Sequence, residues 1–177
     1  MSCKKTFISL VAIFCFFSFS IPCGAENYAF KDYTVTWRVV KVGFVKMVIE
    51  KENNRLYVIL SSLGGRIATL YLGASEAREI GELLLKTKDH YEMLEKSDDS
   101  DPYKEIKGRT FRIIYSSSPG RKDINVKVTK SSIIGPTVLM TKEEAIKIAE
   151  YLKNADKMTA FFNDRVNLML KGKQAGN

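Results

Sequence analysis

Cysteine is scarce and poorly placed for chemistry. Its three occurrences, Cys3, Cys15 and Cys23, all fall in the first 23 positions of a 177-residue chain. Past them no thiol remains to act as a nucleophile, to close a disulfide or to ligate zinc. Histidine occurs once, as His90, so a zinc site of the usual kind cannot be completed. A general base needs a positioned partner, and in "KDHYEML" adjacent helix positions point in different directions. His90 therefore reads as a solvated helix residue. Other signatures are missing too. "DDSD" (residues 98–101) runs into Pro102 and Tyr103 and lacks the central glycine and distal glutamate of a calcium loop. "SSSPGRK" is not a phosphate loop, and there is no nucleophile elbow. Neither metal nor cofactor is expected, no residue qualifies as catalytic, and the chain reads as a non-enzyme. Carboxylate catalysis would require two acidic side chains brought face to face by the fold.

Long apolar runs are scarce as well. The one present, residues 7–21, follows Lys4 and Lys5 in "MSCKKTFISLVAIFCFFSFSIPCGAEN" and ends in small residues. That order of charge, apolar run and small residues is the layout of a secretory signal peptide. The run is shorter than the roughly 20 residues a membrane span requires, so no transmembrane segment is expected after cleavage. Gly24 sits between Cys23 and Ala25, which puts small residues at both positions a signal peptidase reads and places cleavage after Ala25. Ser20 and Pro22 do not fit a lipoprotein context for Cys23. The expected product is exported, periplasmic or extracellular, and free of cysteine. With 26 basic and 20 acidic residues it carries a formal charge of +6.

What is present is a pattern stated twice. "YTVTWRVVKV" (residues 33–42) alternates with period two, as strands do. "FVKMVIEK" (44–51) and "RLYVILSS" (55–62) flank Glu52-Asn53-Asn54, a hairpin turn whose asparagines tolerate positive φ. "RIATLYL" (66–72) then leads into a helix with Ala77, Ile80, Leu84, Tyr91 and Leu94 on one face. "TFRIIYS" (110–116), "INVKVTK" (124–130) and "IIGPTVLM" (133–140) repeat the plan, the last an edge strand or one that starts after Pro136. Thr141 and Glu144 form a capping box at the next helix. A slide of 68 positions brings Leu56, Val58 and Leu60 onto Ile124, Val126 and Val128. It also brings Glu76, Ala77, Ile80 and Leu84 onto Glu144, Ala145, Ile148 and Leu152.

The expected class is α+β: two related antiparallel meanders, ββββα (26–97) then βββα (109–154). A polar linker (98–108) joins them, and an added amphipathic helix (155–170) and a loose tail (171–177) follow. Met158, Phe161, Phe162, Val166 and Met169 are expected on the apolar side of that added helix. A small sheet with one helix buries little surface by itself, so two units can cover each other.

Charge is segregated. Arg38, Lys41, Lys46, Lys51, Arg55 and Arg66 dominate the first strand region, and Arg109, Arg112, Arg121, Lys122, Lys127 and Lys130 the second. Residues 73–108 hold ten carboxylates against six basic side chains. Strand alternation turns Arg55 and Tyr57 away from the helix side, with Lys46 and Tyr71 beside them and Arg112 and Lys127 in the second copy. Cations interleaved with aromatics suit a polyanion, single-stranded nucleic acid included. The apolar residues Phe44, Val48 and Ile59 on the same side suit packing against a protein partner or self-association as a homo-oligomer. The doubled meander with its "GGRIATLYLGASEAREIGELL" corner resembles the single-stranded-DNA-binding coactivator and Whirly fold group, although the Whirly lysine–glycine–lysine signature is absent. That resemblance implies a nucleic-acid-binding sheet face.

The exported chain is predicted to begin at Glu26. Intact-mass measurement of the secreted product tests this, and retention of Met1 would refute it.

Overall fold

Eight strands and four helices form from these patterns in the order β1 (Thr34–Val42), β2 (Val45–Glu52), β3 (Arg55–Ser62), β4 (Ala68–Leu72), α1 (Ala74–Leu84), α2 (Thr87–Glu95), β5 (Tyr103–Lys107), β6 (Phe111–Ser117), β7 (Ile124–Lys130), β8 (Thr137–Met140), α3 (Lys142–Leu152) and α4 (Ala155–Gly172). The computed structural model describes residues 32–63, 68–117, 123–130 and 135–172. The leader with its expected cleavage site, Gly64 and Gly65, most of the "SSPGRKD" turn and residues 173–177 lie outside the described residues. The strands make two four-stranded antiparallel meanders, β1-β2-β3-β4 and β5-β6-β7-β8. The protein is an α+β fold with a duplicated unit.

Three expectations change. The stretch 98–108 is not only a linker: its second half is β5, which pairs with β6 from Tyr103↔Ser116 to Lys107↔Arg112. The first helix breaks at Leu85-Lys86 into α1 and α2. The C-terminal helix is then no addition, because α4 begins 68 positions after α2, at the same break. The hydrogen bonds repeat there: Leu85 N to Gly81 O, Lys86 N to Leu83 O and His90 N to Lys86 O recur as Lys153 to Ala149, Asn154 to Tyr151 and Met158 to Asn154. Each unit is therefore ββββαα. The repeat also contains a gap. Val126 stands 68 positions after Val58, but its cross-strand partner Tyr115 stands only 66 after Ile49. The β6–β7 connection is two residues longer than the tight β2–β3 turn, where Asn53 takes a φ of 51°. Pro136 precedes β8, an edge strand, where a missing N–H costs no ladder bond.

Alternation sends one side of each sheet inward: Val45, Met47, Ile49, Val58, Leu60, Leu70 and Leu72 from the first, and Phe111, Ile113, Tyr115, Ile124, Val126, Val128, Val138 and Met140 from the second. These join the buried helix residues in a single core. The helices that cover each inner face are exchanged. From the first unit, α2 lies on the second sheet. Its Tyr91 hydroxyl donates to the Ile124 carbonyl, and its Thr87 hydroxyl sits 3.1 Å from the Tyr115 hydroxyl. From the second unit, α4 lies on the first sheet. Phe161 and Phe162 flank Trp37 at 6.1 and 6.0 Å between ring centroids. Asn163 and Asn167 accept from the buried Lys51 ammonium at 2.7 and 2.5 Å. Between these outer helices α1 crosses α3 so closely that a Cβ on Gly81 would lie 2.3 Å from the backbone N of Lys153. The repeat places Ala149, also fully buried, at the equivalent position. Small residues are required where two backbones approach.

The first turn of each inner helix ties the units together. Thr141 and Glu144 form the capping box at α3, with Glu144 N donating to Thr141 Oγ1 at 3.2 Å and Thr141 N to Glu144 Oε2 at 2.9 Å. The other carboxylate oxygen, Oε1, accepts from Phe44 N in the β1–β2 turn at 2.7 Å. Gly43 permits that approach, with φ +56° and a Cβ position 2.1 Å from Glu144 Oε1. At α1, Glu76 accepts from Gly73 N at 3.3 Å and receives the Thr110 hydroxyl, Thr110 standing in the second unit where Phe44 stands in the first. Lys130 completes this second joint with an ion pair to Glu76 at 3.1 Å.

Glu144→Ala leaves two backbone donors without their acceptor and is expected to lower stability by about 2 kcal/mol. Glu76→Ala, at a less buried joint, should cost less. Urea unfolding midpoints check the ranking, and a reversed order would show that the β1–β2 turn does not depend on Glu144.

Candidate functional site: the outward sheet faces

Cross-strand register fixes which side chains share the face opposite the helices. On the first sheet one row runs Arg38, Val48, Ile59, Tyr71, and the next runs Lys41, Lys46, Ser61, Thr69. On the second sheet the equivalent rows are Glu105, Ile114, Lys127, Leu139 and Lys107, Arg112, Thr129, Thr137. Both copies thus present two cations followed by two hydroxyls at the same register. Strict alternation would put Arg38 and Lys41 on opposite faces. A bulge between Arg38 and Val40 brings both outward, since one extra residue inverts the phase of a strand.

The structure distributes the six expected residues over two sheets. Lys46, Arg55, Tyr57 and Tyr71 share the first outer face, with Arg55 at the hairpin end, where it pairs across from Glu52. Tyr57 and Tyr71 meet edge to face, ring centroids 5.7 Å apart, and Tyr71 is 53% exposed. Arg112 and Lys127 lie on the second outer face. Glu105 approaches Arg112 Nη1 at 3.4 Å, and the Lys127 ammonium donates to Ser116 Oγ at 3.0 Å. Among the described residues Arg38, Lys41, Lys46 and Arg55 have no carboxylate within 4.0 Å. The first face therefore offers cations available to an incoming anion and a tyrosine pair. On the second face Asn125 and Leu139 occupy the positions of the two tyrosines, and Arg112 has an internal counter-charge.

Val48 and Ile59 are buried in the centre of the first outer face, between Arg38 and Tyr71. Phe44 projects from the adjoining turn, 64% exposed. Two strand cations leave this inventory altogether. Lys51 points inward to Asn163 and Asn167, and Lys130 inward to Glu76.

His90 is half-buried rather than free in solvent. It packs 5.1 Å from the Tyr115 ring, and its buried Nε2 has no hydrogen-bond partner among the described residues. Burial first, then the Lys104 and Lys86 cations, lower its pKa, and Asp89 opposes them. Burial also raises the pKa of Tyr91, with neighbouring Glu143 next in effect, and that of Tyr115, so both phenols remain protonated in the core. The described residues include no group of three or more potential metal ligands and no helix long and apolar enough to cross a membrane. No protein-family model matches the chain, and no curated protein matches it.

A lowered histidine pKa means that the unfolded chain takes up a proton near pH 6.5 while the folded one resists it. The neutral ring's contribution is complete above about pH 6.5 and is lost as pH falls through the lower folded value. The thermal midpoint of the native chain should therefore drop more between about pH 7 and pH 5.5 than that of His90→Gln. Parallel curves for the two proteins would contradict the assignment.

Proposed function

We propose that this is an exported, non-catalytic binding protein that engages an anionic polymer through the outer face of its first sheet. The observation that carries the reading is the row Lys41, Lys46, Ser61, Thr69, with Arg38 in the next row and Arg55 at the far hairpin end of the same face, these cations being free of carboxylate partners among the described residues. Ammonium and guanidinium groups on a sheet meet the oxygens of phosphates, sulfates or carboxylates, and the half-buried Thr69 hydroxyl beside them can donate to the same oxygens, whereas Ser61 is buried. The related row on the second sheet, which includes Arg112 and lies beside Lys127, extends the chemistry to a weaker second face. Export is part of the proposal and rests on the order of residues in the leader.

A second reading, binding of single-stranded nucleic acid, is favoured by one feature: the Tyr57–Tyr71 pair next to the cations. Bases stack on such rings while phosphates meet lysine. This is also the use of a sheet face implied by the resemblance to the Whirly fold group.

Binding of polyphosphate and of an oligothymidylate, followed over a range of salt, tests both readings. Four engaged cations on a single strand predict a slope of log K against log salt of about −3. Lys41→Glu with Lys46→Glu should abolish retention of both probes, and unchanged retention would end the proposal. Tyr57→Ala with Tyr71→Ala should weaken the oligothymidylate alone, by about 1–3 kcal/mol per stacked base. An equal effect on polyphosphate would remove the nucleic-acid reading.

A further inference from the structure

The outward face of α4 is the other unassigned surface. The expected apolar side of this helix included Phe161 and Met169, but the structure turns Phe162 and Val166 to the core and leaves Phe161 53%, Leu168 62% and Met169 63% exposed. Lys157, Ala160, Asp164 and Arg165 are exposed beside them. Positions 157, 161, 164, 168 and 171 recur in alternating steps of four and three, the spacing of a helix seam that meets another helix. Arg165 already leans over the Phe161 ring, its guanidinium carbon 5.1 Å from the centroid. Half-buried Trp37, 6.1 Å from Phe161, continues the patch onto the edge strand β1.

The order of residues on this face is self-complementary. If two copies of α4 lie antiparallel about a two-fold axis passing between residues 164 and 165, Asp164 faces Arg165 of the second copy, and the reverse pair forms as well. Phe161 then faces Leu168, and Ala160 faces Met169, each twice. Lys157 comes to the C-terminal end of the opposite helix, where the helix dipole favours a cation. A two-fold interface must match itself in this way, and a seam with its acid and base reversed in order about the centre would do so only in antiparallel pairing.

We infer that the protein forms a homodimer through antiparallel pairing of α4, with Phe161 and Leu168 as the apolar contacts and Asp164–Arg165 as the paired charges that set the register. This surface lies on the side of the first sheet opposite the cation row. Dimerisation would leave that row open and double the number of anion-binding faces. The inference does not rest on the polyanion reading.

Sedimentation equilibrium of the chain expressed from its full coding sequence and purified at its natural N-terminus tests the inference. The expected result is a concentration-dependent monomer–dimer equilibrium with little dependence on salt beyond the charged pairs. Phe161→Glu should raise the dissociation constant about tenfold or more, equivalent to at least 1.4 kcal/mol. Asp164→Arg and Arg165→Asp should each weaken the dimer. The double exchange, which restores opposite charges across the axis, should recover it. Circular dichroism melting checks that each variant is folded, and Leu168→Glu serves as the second apolar variant should Phe161→Glu disturb Trp37. A chain that stays monomeric throughout, including one whose patch is covered by its own N-terminal residues or that binds lipid vesicles through it, overturns the inference. So does a dimer insensitive to the four single substitutions, or one that the double charge exchange fails to restore.

Discussion

The fold depends on an exchange: neither sheet is covered by the helix that follows it directly on its inner face alone. The second helix of each pair reaches the other unit's strands, α2 onto Tyr115 and the Ile124 carbonyl, α4 onto Trp37 and Lys51. A four-stranded sheet with one apolar face is marginal in water by itself. Exchanging helices converts two marginal units into one continuous core. The crossing of α1 on α3 at Gly81 and Ala149 is where this geometry is tightest, and the helix-start carboxylates Glu144 and Glu76 hold the turns of the opposite unit against it. These carboxylates satisfy donors at the helix start and, at the same time, donors a hundred or so residues and thirty-odd residues away in the chain, so local capping and long-range docking are one interaction.

The same exchange sorts the charges. A basic residue on the inner side of a strand must find a partner or be desolvated unpaired, which is costly. Lys51 finds two amide carbonyls of α4 and Lys130 finds Glu76. The outward cations carry no such obligation. Arg38, Lys41 and Lys46 remain in solvent contact on the first sheet, while Glu105 partly neutralises the equivalent ground on the second. Duplication thus produced two faces of the same register but different capacity. Tyr57 and Tyr71 occur only on the first, and the proposed anion-binding function is concentrated there.

Some of this was legible from residues alone and some was not. β3 and β7 coincide with the read spans because their apolar positions alternate cleanly between well-marked turns. β5 falls where the sequence reads as linker, because Ile106 is the single aliphatic residue of "YKEIK". It is an edge strand whose inner side sets Lys104 against Met93 of α2 and only Ile106 against the core, so burial demands no hydrophobic stripe. Placing it under Thr36 to Lys41 of the first copy would have revealed it. The break at Leu85-Lys86 has no proline or glycine to mark it. Periodicity alone does not put Arg38 and Lys41 on one face, because a bulge leaves no signature in it. Phe161 and Met169 lie outward, against expectation, because an amphipathic pattern with apolar residues on two sides does not say which side meets a core.

Periodicity, turn chemistry and a capping box depend on near neighbours in the chain, so the sequence by itself determined seven of the eight strands, most helix starts, the repeated plan and the α+β class. Which sheet each helix covers, which lysines turn inward and which apolar helix face stays bare depend on contacts between residues far apart in the chain. Alternation says only that two residues lie on opposite sides of a strand. What occupies each side is a matter of packing free energy over the whole molecule, and only the tertiary structure decided it.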